Sequence, residues 1–314
     1  MKPARTLSRP PTASAGLAAP ATRARLAETF AALRLRGERA LVAYFTAGDP
    51  SLGGTRRLAL EAARRGADVI ELGVPFSDPI ADGPVIQRAA MRALERGTSL
   101  ARVLETVATL RAETGVPLVL LTYFNPVLAF GIKAFARTAA EGGVDGVIVA
   151  DLPLEEAGPL AAEAEAAGLD LVQLVAPTST PARVRRIARQ SRGFIYGVAL
   201  TSVTGERREL PRDLEAQIRT LRLVTTKPVC VGFGIGHPDQ VAAVGRLADG
   251  VIVGSAIVRL VEERADSPTL VDDVVSCARD QASEDSRQPI NTEATGSASI
   301  ADDGARSRRN SHAP

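Results

Sequence analysis

The segment Val69-Ile-Glu-Leu-Gly-Val-Pro-Phe-Ser-Asp-Pro-Ile-Ala-Asp-Gly-Pro84 gathers the residue types that move protons. Glu71 stands at the polar end of a short apolar run, and Asp78 and Asp82 lie in the loop that follows. Carboxylates at the exit of a buried strand are costly to desolvate, so they ordinarily stay in water unless chemistry uses them. The prolines and glycines between Glu71 and Pro84 restrict the shape of that loop. Each acid also has a plain structural alternative. Glu71 could be an interior residue paired with an arginine, Asp78 a turn former before Pro79, and Asp82 a cap for the helix that starts near Pro84.

A second constellation lies late in the chain. Gly232-Phe-Gly-Ile-Gly236 and Val253-Gly-Ser-Ala256 each follow a strand-like run and precede a helical one. Backbone N–H groups in such turns, with a helix N-terminus, suit a phosphate group, and glycine lets the backbone approach it closely. The long polar loop Leu200–Leu210, which contains Ser202-Val-Thr-Gly-Glu206, suits a mobile lid as well as it suits a solvated surface loop.

Absences narrow the chemistry further. The only lysines are Lys2, Lys133 and Lys227, and neither Lys133 nor Lys227 falls at a strand's carboxyl end, where a Schiff-base aldolase needs one. His237 and His312 are the only histidines, which argues against an imidazole metal site, and no nucleophile-elbow motif accompanies His237. An all-carboxylate metal site has no diagnostic spacing here. What remains is cofactor-free proton transfer by carboxylates on a phosphorylated small molecule, by a lyase or an isomerase.

The elements that must position these residues alternate. Continuous apolar runs at Leu41–Thr46, Val69–Leu72, Pro117–Thr122, Gly146–Val149, Leu171–Val175, Phe194–Val198, Val229–Gly232 and Gly250–Val253 read as strands buried on both faces. Helical patterns lie between them at Arg57–Arg65, Leu100–Glu113, Ile132–Glu141, Leu160–Ala167, Ala182–Gln190, Leu214–Leu223 and Pro238–Arg246, with a last one at Ala256–Glu263. Eight strand–helix units predict an α/β fold, a single (β/α)8 TIM barrel. A doubly wound open sheet would open with a dinucleotide fingerprint, but the turn after the first strand reads Ala47-Gly-Asp-Pro-Ser-Leu-Gly-Gly54. In a barrel the active site sits at the carboxyl ends of the strands. Glu71, Asp78, Asp82, Tyr123, Asn125, Asp151, Tyr196, Gly234, Gly254 and Ser255 all collect there.

Composition sets the outer bounds. The chain of 314 residues has a net charge of +2, 45% hydrophobic and 24% charged residues, which suits a globular protein without a basic field for nucleic acid. No apolar run is long enough to span a bilayer. Cys230 and Cys277 show no disulfide framework, so a reducing cytoplasm is expected. The first 27 residues hold arginine, serine and threonine with no acidic residue, while Pro10, Pro11 and Pro20 break any amphipathic helix. They read as a disordered extension, with residues 1–20 outside the fold, a barrel domain over 21–270 and a polar disordered tail over 283–314.

The segment Glu71–Pro84 closely resembles the signature of the tryptophan synthase alpha subunit family. The resemblance runs in order through Phe45-Thr-Ala-Gly-Asp-Pro50, Leu121-Thr-Tyr-Phe-Asn125, Val149-Ala-Asp-Leu-Pro153, Val203-Thr-Gly205, Gly232-Phe-Gly234 and Gly254-Ser-Ala-Ile-Val258. It implies a TIM barrel that cleaves indole-3-glycerol phosphate to indole and glyceraldehyde 3-phosphate, with no cofactor in this chain. It also implies a pyridoxal-phosphate-dependent beta partner, in a heterotetramer of two alpha and two beta subunits. By resemblance Glu71 is the general acid/base and Asp82 the carboxylate that holds the indole N–H. Tyr196 lies near Glu71, and Thr204 belongs to a closing lid. Gly205, Gly234, Gly254 and Ser255 match the phosphate site, and Leu121, Tyr123 and Phe233 surround the indole. Asp49 and Asp78 match the partner-facing surface. One departure stands out: Ala199-Leu-Thr-Ser202 replaces the family's frequent Ser-Arg-x-Gly, which bears on lid closure and coupling rather than on the chemistry.

Overall fold

The computed structural model describes residues 25–199, 213–232, 238–265, 267, 269–270 and 272. Eight strands run β1 Ala40–Thr46, β2 Val69–Gly73, β3 Leu118–Thr122, β4 Gly146–Val149, β5 Asp170–Val175, β6 Ile195–Val198, β7 Val229–Gly232 and β8 Gly250–Val253. The helices among the described residues are α1 Arg25–Arg36, α2 Leu52–Arg64, α3 Pro84–Glu95, α4 Leu100–Arg111, α5 Phe124–Phe130, α6 Ile132–Glu141, α7 Gly158–Ala167, α8 Pro181–Gln190, α9 Leu214–Arg222, α10 Pro238–Gly245 and α11 Ser255–Arg264. Every strand pairs in parallel with its sequence neighbours, and β8 returns to β1 to close the barrel.

Because side chains alternate across a strand, each strand divides its residues between two apolar layers. Val42, Val69, Val119, Ile148, Val172, Tyr196, Cys230 and Ile252 pack together inside the barrel. Their sequence neighbours Ala43, Ile70, Leu120, Val147, Leu171, Ile195, Val231 and Val251 pack outward with the helices. Both faces are therefore dry, which is why the strands read as unbroken apolar runs in the sequence.

At the amino ends of the strands, acidic residues just ahead of one strand hold the strand before it. Asp68 Oδ2 accepts the Leu41 N–H at 2.8 Å, Asp145 Oδ2 accepts that of Leu118 at 2.8 Å, and Asp249 Oδ2 accepts that of Val229 at 2.8 Å. Helix α1 covers this end. Its Leu26, Phe30 and Leu33 join the interior layer, and Phe30 meets Phe194 with ring centroids 5.8 Å apart. Arg25 then ties the helix down through a 2.6 Å contact to Asp145.

Helix α1 lies within the barrel domain read over 21–270, although no helical pattern is read over its residues in the sequence. Arg25, Leu26 and Ala27 are helical, and Leu26 is fully buried. Helix α5 is likewise absent from the helical patterns read in the sequence, and α3 is read there only as a helix that starts near Pro84. Helix α2 starts at Leu52 rather than Arg57, because Ser51 accepts the Gly54 N–H and caps a first turn that Gly53 and Gly54 disguise. No helix of the described residues is long and apolar enough to cross a membrane.

Candidate active site

Glu71 lies on β2 in register with Tyr44 on β1 and Val119 on β3, which turns its side chain into the barrel. It is fully buried, and among the described residues neither carboxylate oxygen has a hydrogen-bond partner. No arginine among the described residues pairs with it, as an arginine-paired interior acid would require. Burial, and secondarily the charge of Asp82, pushes its pKa up to about 8. At neutral pH this carboxyl keeps its proton.

Asp82 sits where the loop after β2 meets α3. The helix cap is Gly83, with no side chain bonding the first turn, so Asp82 is not spent on capping. Its Oδ2 instead accepts the Tyr123 hydroxyl at 3.0 Å, and that hydroxyl accepts the Ala81 N–H at 3.1 Å. Burial raises the Asp82 pKa to about 6, with the Tyr123 hydrogen bond opposing the rise. Two buried carboxyls thus favour different protonation states near pH 7, which is the condition for one to act as acid and the other as anion.

Aromatic and aliphatic residues wall the pair. Leu121 and Tyr196 belong to the interior layer, and Tyr123 packs against Phe76 at 5.2 Å between ring centroids. Burial, followed by the charge of Glu71, raises the Tyr196 pKa well above the ordinary phenol value, so its hydroxyl stays protonated. Tyr44, which the sequence reading missed, completes the wall. It is buried, its hydroxyl lies 3.4 Å from Thr46 Oγ1, and burial raises its pKa as well. Strand parity could have found it, since Val42, Tyr44 and Thr46 alternate on one face.

Glycines make room for these hydroxyls. A Cβ on Gly73 would stand 2.0 Å from the Tyr44 hydroxyl, and one on Gly232 would stand 2.4 Å from that of Tyr196. Gly254 lets the Tyr44 ring lie alongside, a Cβ there falling 3.2 Å from it. Gly254 also precedes α11, whose first turn, opening at Ser255, no side chain caps. N–H groups of that turn point where an anion can be held.

Other sequence-derived positions fall differently. Thr204, Gly205, Phe233 and Gly234 lie outside the described residues, as do His237 and the loop from Leu200 to Leu210. Asp78 is exposed, accepting the Ser77 hydroxyl at 2.5 Å, as befits a surface loop. Asp49 departs from the expectation of a partner-facing side chain. It is 5% exposed, and Arg92 grips its carboxylate through two hydrogen bonds. Asn125 sits exposed in α5 rather than at a strand end. Asp151 accepts the Phe124 N–H at 2.7 Å and so anchors the start of α5.

A closed parallel barrel with a buried, oppositely poised carboxyl pair at its carboxyl end defines an acid/base enzyme of the (β/α)8 class. Comparison with known proteins narrows this class. The family described as tryptophan synthase alpha chain matches residues 30–286. The tryptophan synthase alpha chain of Citrifermentans bemidjiense is 51% identical over 239 residues, covering 76% of this chain and 90% of that protein. That of Gloeobacter violaceus is 50% identical over 242 residues, covering 77% and 88%. Among solved structures, the Legionella pneumophila alpha chain superposes with a TM-score of 0.75 at 35% identity, covering 82% of this chain and 95% of that one. A Mycobacterium tuberculosis tryptophan synthase structure gives 0.75 at 36% identity, covering 82% and 96%. The chain belongs to the tryptophan synthase alpha chain family.

Proposed function

We propose that the chain cleaves indole-3-glycerol phosphate to indole and glyceraldehyde 3-phosphate, with Glu71 as general acid and base. The observation that carries this reading is the buried Glu71, without a hydrogen-bond partner among the described residues and poised with a pKa of about 8 beside an Asp82 poised at about 6. Protonated Glu71 gives its proton to indole C3, and the ring becomes an iminium-like cation. The C3–glycerol bond then breaks, its electron pair returning to the ring while the neighbouring hydroxyl becomes the aldehyde. Glu71, now a carboxylate, takes the proton that hydroxyl releases and so ends as it began.

Asp82, ionised at neutral pH, accepts the indole N–H and offsets the positive charge that develops on the ring. Preorganised charge of this kind contributes about 10²-fold or more to rate. Tyr123 fixes the orientation of Asp82, while Leu121, Tyr196 and Phe233 flank the indole. Gly205, Gly234, Gly254 and Ser255 hold the phosphate, and Thr204 closes over the site.

The product indole passes to a pyridoxal-phosphate-dependent beta subunit in a heterotetramer, and this chain needs no cofactor of its own. The exposed Asp78 loop suits that docking surface. Asp49 acts there only through its turn, since its carboxylate is committed to Arg92. Cys230, buried and unpaired, suits a reducing cytoplasm. The test is release of indole from indole-3-glycerol phosphate by the purified chain, assayed with and without a beta subunit. Turnover that rises with the partner supports the reading, and no indole under either condition contradicts it.

A further inference from the structure

The Arg92 grip on Asp49 is one rung of a longer ladder that the proposed chemistry does not use. Arg92 donates from Nε to Asp49 Oδ1 at 3.1 Å and from Nη2 to Asp49 Oδ2 at 2.7 Å. Its remaining nitrogen, Nη1, donates to Glu262 Oε1 at 2.7 Å. Arg88 holds the same Glu262 through Nε–Oε1 at 2.8 Å and Nη2–Oε2 at 2.7 Å. The arginines, four residues apart, share one face of α3. The ladder therefore joins the loop after β1, helix α3 and helix α11.

What these helices carry gives the ladder its meaning. Helix α3 opens at Pro84, directly after Asp82 and Gly83, and α11 opens at Ser255, directly after Gly254. The two helices pack against each other. The indole end and the phosphate end of the substrate thus rest on the amino ends of two helices that the ladder ties together. Isolated surface ion pairs add little stability. Here, however, both carboxylates are held in the two-point geometry that fixes orientation, and Asp49 is buried. The hydrogen bond from Arg88 takes the Glu262 pKa down to about 2, so this carboxylate is ionised at neutral pH.

We propose that the Asp49–Arg92–Glu262–Arg88 ladder sets the span between the carboxylate that holds indole and the helix end that holds phosphate. This rests on the function proposed above. Arg92 and Glu262 are then positioning residues: they touch no substrate, but they matter to any ligand that must reach both ends at once. Misplacement by about 1 Å is enough to cost as much as 10²-fold.

The experiment compares a spanning ligand, indole-3-propyl phosphate, with its two fragments, indole and glycerol 3-phosphate, by calorimetric titration of the full chain. Glu262→Gln should weaken the spanning ligand about tenfold and leave each fragment within about twofold of wild type. Arg88→Gln, which keeps the Arg92–Glu262 rung, should weaken the spanning ligand less. The proposal is overturned if Glu262→Gln leaves the spanning ligand unchanged, or if all three ligands weaken by one common factor, the mark of general loosening. Wild-type protein that fails to bind the spanning ligand overturns the functional reading, and the role of the ladder with it.

Discussion

The two ends of the barrel treat a buried carboxylate in opposite ways. At the amino end Asp145 is completely inaccessible, yet Arg25 and Arg111 contact its two oxygens at 2.6 and 2.7 Å and the Leu118 N–H donates to it. At the carboxyl end Glu71 is just as inaccessible and has no partner among the described residues. The first arrangement satisfies an anion and joins α1, α4, β3 and β4. The second penalises the anion and keeps a proton where a substrate can take it. Burial alone therefore says little about the role of an acid; the donors around it decide.

The contrast is broken most severely at Glu71. Glu71→Gln keeps the shape and removes the proton donor, so indole release should fall by about 10³-fold or more, since one group serves both transfers. Steady-state assay of the folded variant checks this, and substantial retained cleavage would remove Glu71 from the mechanism. At the other end, Asp145→Ala leaves two arginines and a backbone N–H without their acceptor. It should cost about 3–4 kcal/mol of stability in denaturant unfolding. An effect below about 1 kcal/mol would show that the pairing is incidental.

Asp82→Asn sharpens the comparison within the site itself. It should lower turnover by about 10²-fold while leaving the binding of glycerol 3-phosphate intact, because the carboxylate acts at the indole end. A loss of phosphate binding equal to the loss of turnover would argue instead for a collapsed loop.

The smallest effect has the opposite sign from that at Asp145. The folded-state pKa of Glu71 is raised from 4.5 to about 8, so its contribution to stability is intact below 4.5 and is lost as pH rises toward 8. Glu71→Gln escapes that loss. Its stability relative to wild type should climb by up to about 1.4 kcal/mol per pH unit between about 4.5 and 8 and level off above that; the buried amide subtracts a constant cost, leaving a net gain of roughly 1–2 kcal/mol near pH 7. Unfolding curves for both proteins across that range read the difference, and a gain that is flat with pH would contradict it.

The strands were legible because parallel strands dry on both faces leave unbroken β-branched runs, and the helices between them carry the other period. Glu71 and Asp82 were legible because acids beside such a run are unusual. Helix α1 was not, since its Leu26, Phe30 and Leu33 become meaningful only once there is a barrel mouth to fill. The pairing of Asp49 with Arg92 was hidden for a related reason. In an arginine-rich chain the sequence offers many partners for one aspartate, and the fold alone brings this one across 43 positions. Tyr44 lay within reach of strand parity, but its neighbours Gly73, on β2, and Gly254, just after β8, come from distant parts of the chain.

The mechanism depends most directly on Glu71 holding a proton at neutral pH. Labelling glutamate side-chain carboxyl carbons with ¹³C and titrating by NMR, with Glu71→Gln to assign the resonance, reads it directly. A Glu71 signal that stays in the protonated position through pH 7 and moves with a midpoint near 8 is the predicted result. A midpoint at the ordinary glutamate value of about 4.3 would mean that the acid is already ionised, and the assignment of Glu71 as proton donor would fall.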